Sequence, residues 1–162
     1  MPLFVLSPAS LAHSALFAGY YSYLGANVVS YRLKTGLLIG GGESAADVRQ
    51  PGSEKKVPNP ADEAKLRRAV RAYGNFTETT PLAFLFLFIA ELNGAPTALV
   101  HAGFTTLFAA RVLHGSFGIQ AENAVAFGRP IGYVASLAVT LAAGLYNLRL
   151  GYEPLKTFLG AK

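Results

Sequence analysis

Cysteine is absent from the 162-residue chain, which excludes a disulfide scaffold, a thiolate zinc site and catalysis by a thiol of the protein itself. Tryptophan is absent as well, so an aromatic belt at a membrane surface would rest on the 8 Tyr and 11 Phe. Charge is scarce. Charged residues make up 14% of the chain against 52% hydrophobic ones, where a soluble domain averages roughly 25% charged. No HExxH and no other metal-ligand cluster is present. The glycines at 40–42 in GLLIGGGES are followed by Glu43 rather than Lys-Ser/Thr, so they are not a Walker loop, and a G-x-G-x-x-G fingerprint is missing too. That segment reads as a flexible Gly- and Pro-rich connection.

What the chain does have is long stretches without charge. Met1–Tyr31, Thr79–Ala90 and Pro130–Leu148 contain no Asp, Glu, Lys or Arg, and Leu92–Ala110 is interrupted only by His101. A membrane-spanning helix needs ~20 mostly apolar residues. The sequence therefore predicts a single all-α domain, an integral membrane four-helix bundle with spans at about 9–31, 72–93, 96–118 and 130–148. The fourth segment, PIGYVASLAVTLAAGLYNL, is apolar nearly all round, which a solvated helix is not. The first segment lacks the basic n-region of a signal peptide and is expected to stay in the mature protein. Pro60 followed by Asp62 and Glu63 marks the start of the second helix, with acids at the positive end of its dipole.

Orientation follows from the basic residues. Nine of the 14 Lys and Arg lie between Arg32 and Arg71, and the turn ELNGAPT after the second span carries none. Positive-inside places the loop at about 35–66 in the cytoplasm and both termini outside. The net charge of +5 is thereby topological, and no basic face for nucleic acid is visible.

Ionisable groups within spans are costly and mark candidate sites. Arg68, Arg71, Asn75 and Glu78 are spaced three, four and three apart, one stripe of the second helix. A guanidinium forks onto a carboxylate, an amide gives donor and acceptor, and a carboxylate takes an ammonium, so the stripe suits a zwitterionic ligand. The plainer alternative is an Arg71–Glu78 ion pair with Asn75 joining helices. Arg111 and His114 lie one turn apart on the third helix, and Arg129 and Tyr133 open the fourth. His101 reads as a hydrogen-bonded packing residue. Arg32 and Lys34 end the first helix, where they also suit a basic stop signal. Arg32, Arg71, Glu78, Arg111 and Arg129 all fall near cytoplasmic helix ends and are expected to converge on one anionic ligand.

The stretch RAVRAYGNFTETTPLAFLFLFIAELNGAP, followed by LFAARVLHGSFG, resembles the MAPEG family, the membrane-associated proteins in eicosanoid and glutathione metabolism. The family's Arg-x-x-x-Asn-x-x-Glu signature with a following Pro is present as Arg71, Asn75, Glu78 and Pro81, and bacterial-type members look most similar. The resemblance implies a homotrimer with active sites between subunits, and glutathione held by Arg71, Asn75, Glu78, Arg111 and His114 with Lys34 nearby. It places Arg129 near the glutathione sulfur; Tyr133 is the candidate hydrogen-bond donor to the same sulfur, and Arg32 the candidate cation that stabilises the developing anion or positions the electrophile. Tyr73 stands where many relatives have His, and Gly118 where eicosanoid-type members place a Tyr. These departures point away from a leukotriene or prostaglandin synthase.

The expected function is that of a microsomal-type glutathione transferase, with peroxidase activity as an extension to lipid hydroperoxides. Its partners would be itself, membrane lipids and an apolar electrophile, and its location a bacterial inner membrane. A non-catalytic lipid-binding scaffold of the same family is the alternative, and a small transporter a further one.

Overall fold

The computed structural model describes residues 7–41, 48–52, 59–124 and 126–160. Four long helices dominate it: α1 (Pro8–Thr35), α2 (Pro60–Leu92), α3 (Thr97–His114) and α4 (Gly128–Phe158). They form an all-α bundle in which α1 packs on α2 and α3, and α4 on α3 and α2. The short connection between Leu92 and Thr97 sets α2 and α3 antiparallel. The α2–α3 turn passes through Gly94 at φ 87°, a conformation that favours glycine.

The helix ends follow local chemistry. Asn59 caps α2 by accepting from the Ala61 N–H at 2.9 Å, with Pro60 in the first turn and Asp62 and Glu63 beside it. This is the start expected from sequence. Helix α1 ends at Gly36 in the left-handed conformation, whose N–H returns to the Arg32 carbonyl at 2.9 Å. The start of α1 is unusual, because its Ser7 makes no cap. Instead Glu91, at the far end of α2, accepts from the Ala9 and Ser10 N–H groups at 2.7 and 2.9 Å and from the Ser10 hydroxyl. A carboxylate at a helix N-terminus satisfies donors that would otherwise be stranded.

Between α1, α2 and α3 the core is aromatic. Phe17 meets Phe84 edge-on at 5.3 Å, and Phe84 packs on Phe104 at 4.6 Å. Such offset and edge-on geometries suit the ring quadrupoles. His13 joins this core through Phe104, contacts the His101 ring at 5.2 Å, and hydrogen-bonds Thr105 at 3.1 Å.

Several elements differ from the sequence expectation. The segment read as a wholly flexible connection contains two short antiparallel strands, β1 (Leu37–Ile39) and β2 (Val48–Arg49). An Arg49–Glu63 ion pair at 3.3 Å ties β2 to α2, so β-branched and apolar residues beside the glycines find a ladder that a composition argument overlooks. The glycine at 42, Glu43, and the KKVP segment lie outside the described residues. Helix α3 ends at His114 and continues as one wide π-helical turn, Gly115–Ile119, followed by a 3₁₀ turn at Glu122–Ala124. Helix α4 runs on past 148 to Phe158, so Arg149 and Lys156 are helical. Among the described residues, α4 is the one helix long and apolar enough by length and composition to cross a membrane.

Candidate functional site

A cavity of about 780 Å³ opens where α2, α3 and α4 meet. Helix α2 contributes Arg71, Asn75 and Glu78, a stripe produced by its 3.6-residue period. His114 enters from α3, and Arg129 and Tyr133 enter from the first turns of α4. Arg68, from the same stripe, lines it too, so seven of the residues singled out from sequence share one cavity. Arg67 lines it as well. Arg67 is a site residue that the sequence reading misses, although it stands four residues before Arg71 and so on the same helix face.

The close approach of α4 to α3 places Arg129. Gly128, Gly132 and Ser136 recur every four residues and are all buried, the small-residue seam that lets helix backbones touch. A Cβ on Gly132 would fall 2.6 Å from the His114 backbone nitrogen, and one on Gly128 2.7 Å from the Leu113 carbonyl oxygen. With the helices this near, the His114 Nδ1–H donates to the Arg129 carbonyl at 2.7 Å. A carbonyl only accepts, so Nδ1 carries the proton and fixes the imidazole's orientation. The Arg129 guanidinium donates from Nη1 to the Ala124 carbonyl at 2.8 Å, and Ala124 takes the uncommon φ of 55°. Both residues also line the cavity.

The π-helical turn is braced from α1. Tyr20 and Ser116 share a hydroxyl hydrogen bond at 3.0 Å, and Asn27 donates to Gln120 at 3.0 Å. Gly118 sits so near α4 that a Cβ would lie 2.7 Å from the Arg129 Cα and nitrogen. No side chain fits there without moving Arg129, which gives a physical reason for the glycine at this departure from the eicosanoid-type pattern. Tyr73 turns away from the cavity and donates to the Tyr21 hydroxyl at 2.6 Å.

The stripe is not closed on itself. Among the described residues, Arg71 and Glu78 form no ion pair with each other, so the plainer reading of an internal salt bridge does not describe this arrangement. A cation and a carboxylate stand open to the same space, which suits the carboxylate and ammonium of an amino acid-like ligand. At about 780 Å³ the cavity falls within the range of small-molecule sites.

Three of the candidates named from sequence lie elsewhere. Arg32 donates to the Leu37 and Leu38 carbonyls at 3.4 and 2.6 Å, bracing β1 against the end of α1. Lys34 sits 5.0 Å over the Tyr31 ring. Neither lines the cavity. Arg111 is 2% exposed and points into the bundle behind Asn75, donating to Asn75 Oδ1 at 3.3 Å and to the Thr79 hydroxyl. The expected convergence of five charged residues is thus met within this chain by Arg71, Glu78 and Arg129. Among the described residues no cluster of three or more metal-ligating His or acidic groups occurs.

Comparison with known proteins gives two results. Inner membrane protein YecN of Escherichia coli K12 is 37% identical over 51 residues, which is 32% of this chain and 39% of that protein. The YecN of a second strain, O6:H1, matches to the same extent. The chain thus spans about two fifths of the length of these relatives. The sequence profile of the MAPEG family matches residues 10–149, from the first turn of α1 to the point where α4 outruns its apolar run. With that match covering nearly all of the helical bundle, the chain belongs to the MAPEG family of membrane proteins.

Proposed function

We propose that this protein is a membrane-bound, glutathione-dependent transferase. The observation that carries the reading is the shared cavity of Arg71, Asn75, Glu78, His114, Arg129 and Tyr133. The donor set fits the tripeptide: Glu78 takes the ammonium, Arg71 a carboxylate, and Asn75 a backbone or carboxylate oxygen. When bound, glutathione supplies the thiol that attacks an apolar electrophile, and the thiolate is the reactive form. Arg129 stabilises that negative charge with a permanent cation held by the Ala124 carbonyl. Tyr133, half exposed on the turn after Arg129, offers a hydroxyl donor toward the same place. With a lipid hydroperoxide as acceptor the same residues would serve a peroxidase.

In this reading the chain spans a bacterial inner membrane four times and assembles as a homotrimer. Arg32 and Lys34, which do not line the cavity of their own chain, would then reach a neighbouring subunit's site. The lipid-binding scaffold is the second reading. It is favoured by a separate apolar cavity of about 350 Å³ among Leu87, Leu99, Val100, Val139 and Tyr146. Titrating the detergent-purified protein with glutathione while following thiolate absorbance tests the proposal. A saturable thiolate signal supports the transferase. Lipid binding with no glutathione binding supports the scaffold instead.

A further inference from the structure

Arg111 is a buried cation with an unusual environment. It is 2% exposed, its Nε and Nη2 donors are buried without an acceptor, and no carboxylate lies within 4 Å among the described residues. A buried ion left this way is costly, and an apolar residue of similar volume would fill the space more cheaply. Its remaining donor, Nη1, reaches Asn75 Oδ1 at 3.3 Å and the Thr79 hydroxyl. The Thr79 hydroxyl in turn donates to the Asn75 backbone carbonyl at 2.6 Å.

The directions of these bonds are forced. A guanidinium has donors only, so the carbonyl end of the Asn75 amide must face it. The Thr79 oxygen accepts from Arg111 while its proton goes to the helix backbone. What Asn75 then presents to the cavity it lines is its NH₂ group, two donors and no acceptor.

We propose that Arg111 is a positioning residue that fixes the polarity of Asn75, making it a pure donor toward the cavity. The site is thereby committed to a ligand that offers a carboxylate or carbonyl oxygen at that point. This ligand arm rests on the glutathione reading above, whereas the polarity arm does not. Without Arg111 the amide is free to turn over and the commitment is lost.

Asn75→Asp tests this with little change of shape. It sets a carboxylate against Arg111 and removes the donors from the cavity. In detergent without ligand, the Tm of Asn75→Asp should rise above wild type, and that of Asn75→Ala should not. Glutathione affinity should fall at least about tenfold in Asn75→Asp, the loss of a charge-assisted bond. Arg111→Met should weaken glutathione binding in the wild-type background and cost nothing further in Asn75→Ala. A Tm for Asn75→Asp at or below that of Asn75→Ala overturns the assigned polarity. An equal loss of affinity from Arg111→Met with and without Asn75 overturns its action through Asn75. If Arg111→Met does not fold, the two Asn75 variants decide. A raised Tm in a protein that binds no glutathione upholds the polarity and rejects the glutathione reading instead.

Discussion

Arg71 and Arg129 face one cavity from different helices, and their proposed roles separate in kinetics. Arg71 lines the cavity on the α2 stripe, and in the proposed mechanism its contact with a ligand carboxylate is made equally before and during reaction. Arg71→Ala should raise KM for glutathione while kcat at saturating thiol stays near wild type, measured by steady-state turnover. In the same mechanism Arg129 acts on charge that develops at sulfur, and removing one such donor costs about a hundredfold in kcat. Arg129→Ala should lose that factor at neutral pH, keep most of the affinity, and regain part of the rate as pH rises and free thiol ionises unaided. Normal turnover by Arg129→Ala at neutral pH would sink this mechanism. At this scale the sequence is informative about which helix face bears chemistry, because spacing maps directly onto a helical stripe. It does not tell an arginine in the cavity from one behind it. Arg111 and Arg129 both sit at helix ends, and only the packing of α3 against α2 turns the former inward.

Each helix junction depends on residues too small or too remote to announce themselves. Gly132 lies against α3, where a larger side chain would press on the His114 backbone. Gly132→Leu should separate α4 from α3, lower the Tm in detergent and abolish glutathione binding. Gly151→Ala, with nothing within 4 Å of its added Cβ, should leave both unchanged. At the opposite end of the bundle, Glu91→Gln keeps the shape of the side chain but replaces one accepting oxygen with a donor. Stranding a buried donor costs about 1–3 kcal/mol, which should show as a lower Tm with the glutathione affinity retained. The helices themselves are legible in the sequence because charge-free runs and the Pro60 start survive in any packing. The strand pair at Leu37–Ile39 and Val48–Arg49 is not, since it is held by side-chain contacts that no residue pattern displays, Arg32 on the β1 carbonyls and the Arg49–Glu63 pair on α2. The role of Glu91 is hidden because its partners lie more than 80 residues away.

For the whole molecule, the proposed topology and assembly are open to direct measurement. The cysteine-free background permits single substitutions at Pro51, in the first connection, and Asn93, in the α2–α3 turn. In intact cells an impermeant thiol reagent should label the cysteine at 93 and spare that at 51, and the reverse pattern would invert the orientation. A detergent-corrected mass should give three chains per particle, and activity in a monomer would count against sites shared between subunits. The bundle also carries a constraint on its own biosynthesis. During synthesis α1 leaves the ribosome long before Glu91 exists, so its first amides have no protein acceptor until α2 is complete. If α1 spans the bilayer as proposed, the helix pair α1–α2, rather than the single helix, is the smallest unit that settles there with its leading end satisfied by the protein itself. A nascent chain halted within α2 should leave α1 extractable or protease-sensitive at its start, and one halted beyond the α2–α3 turn should not.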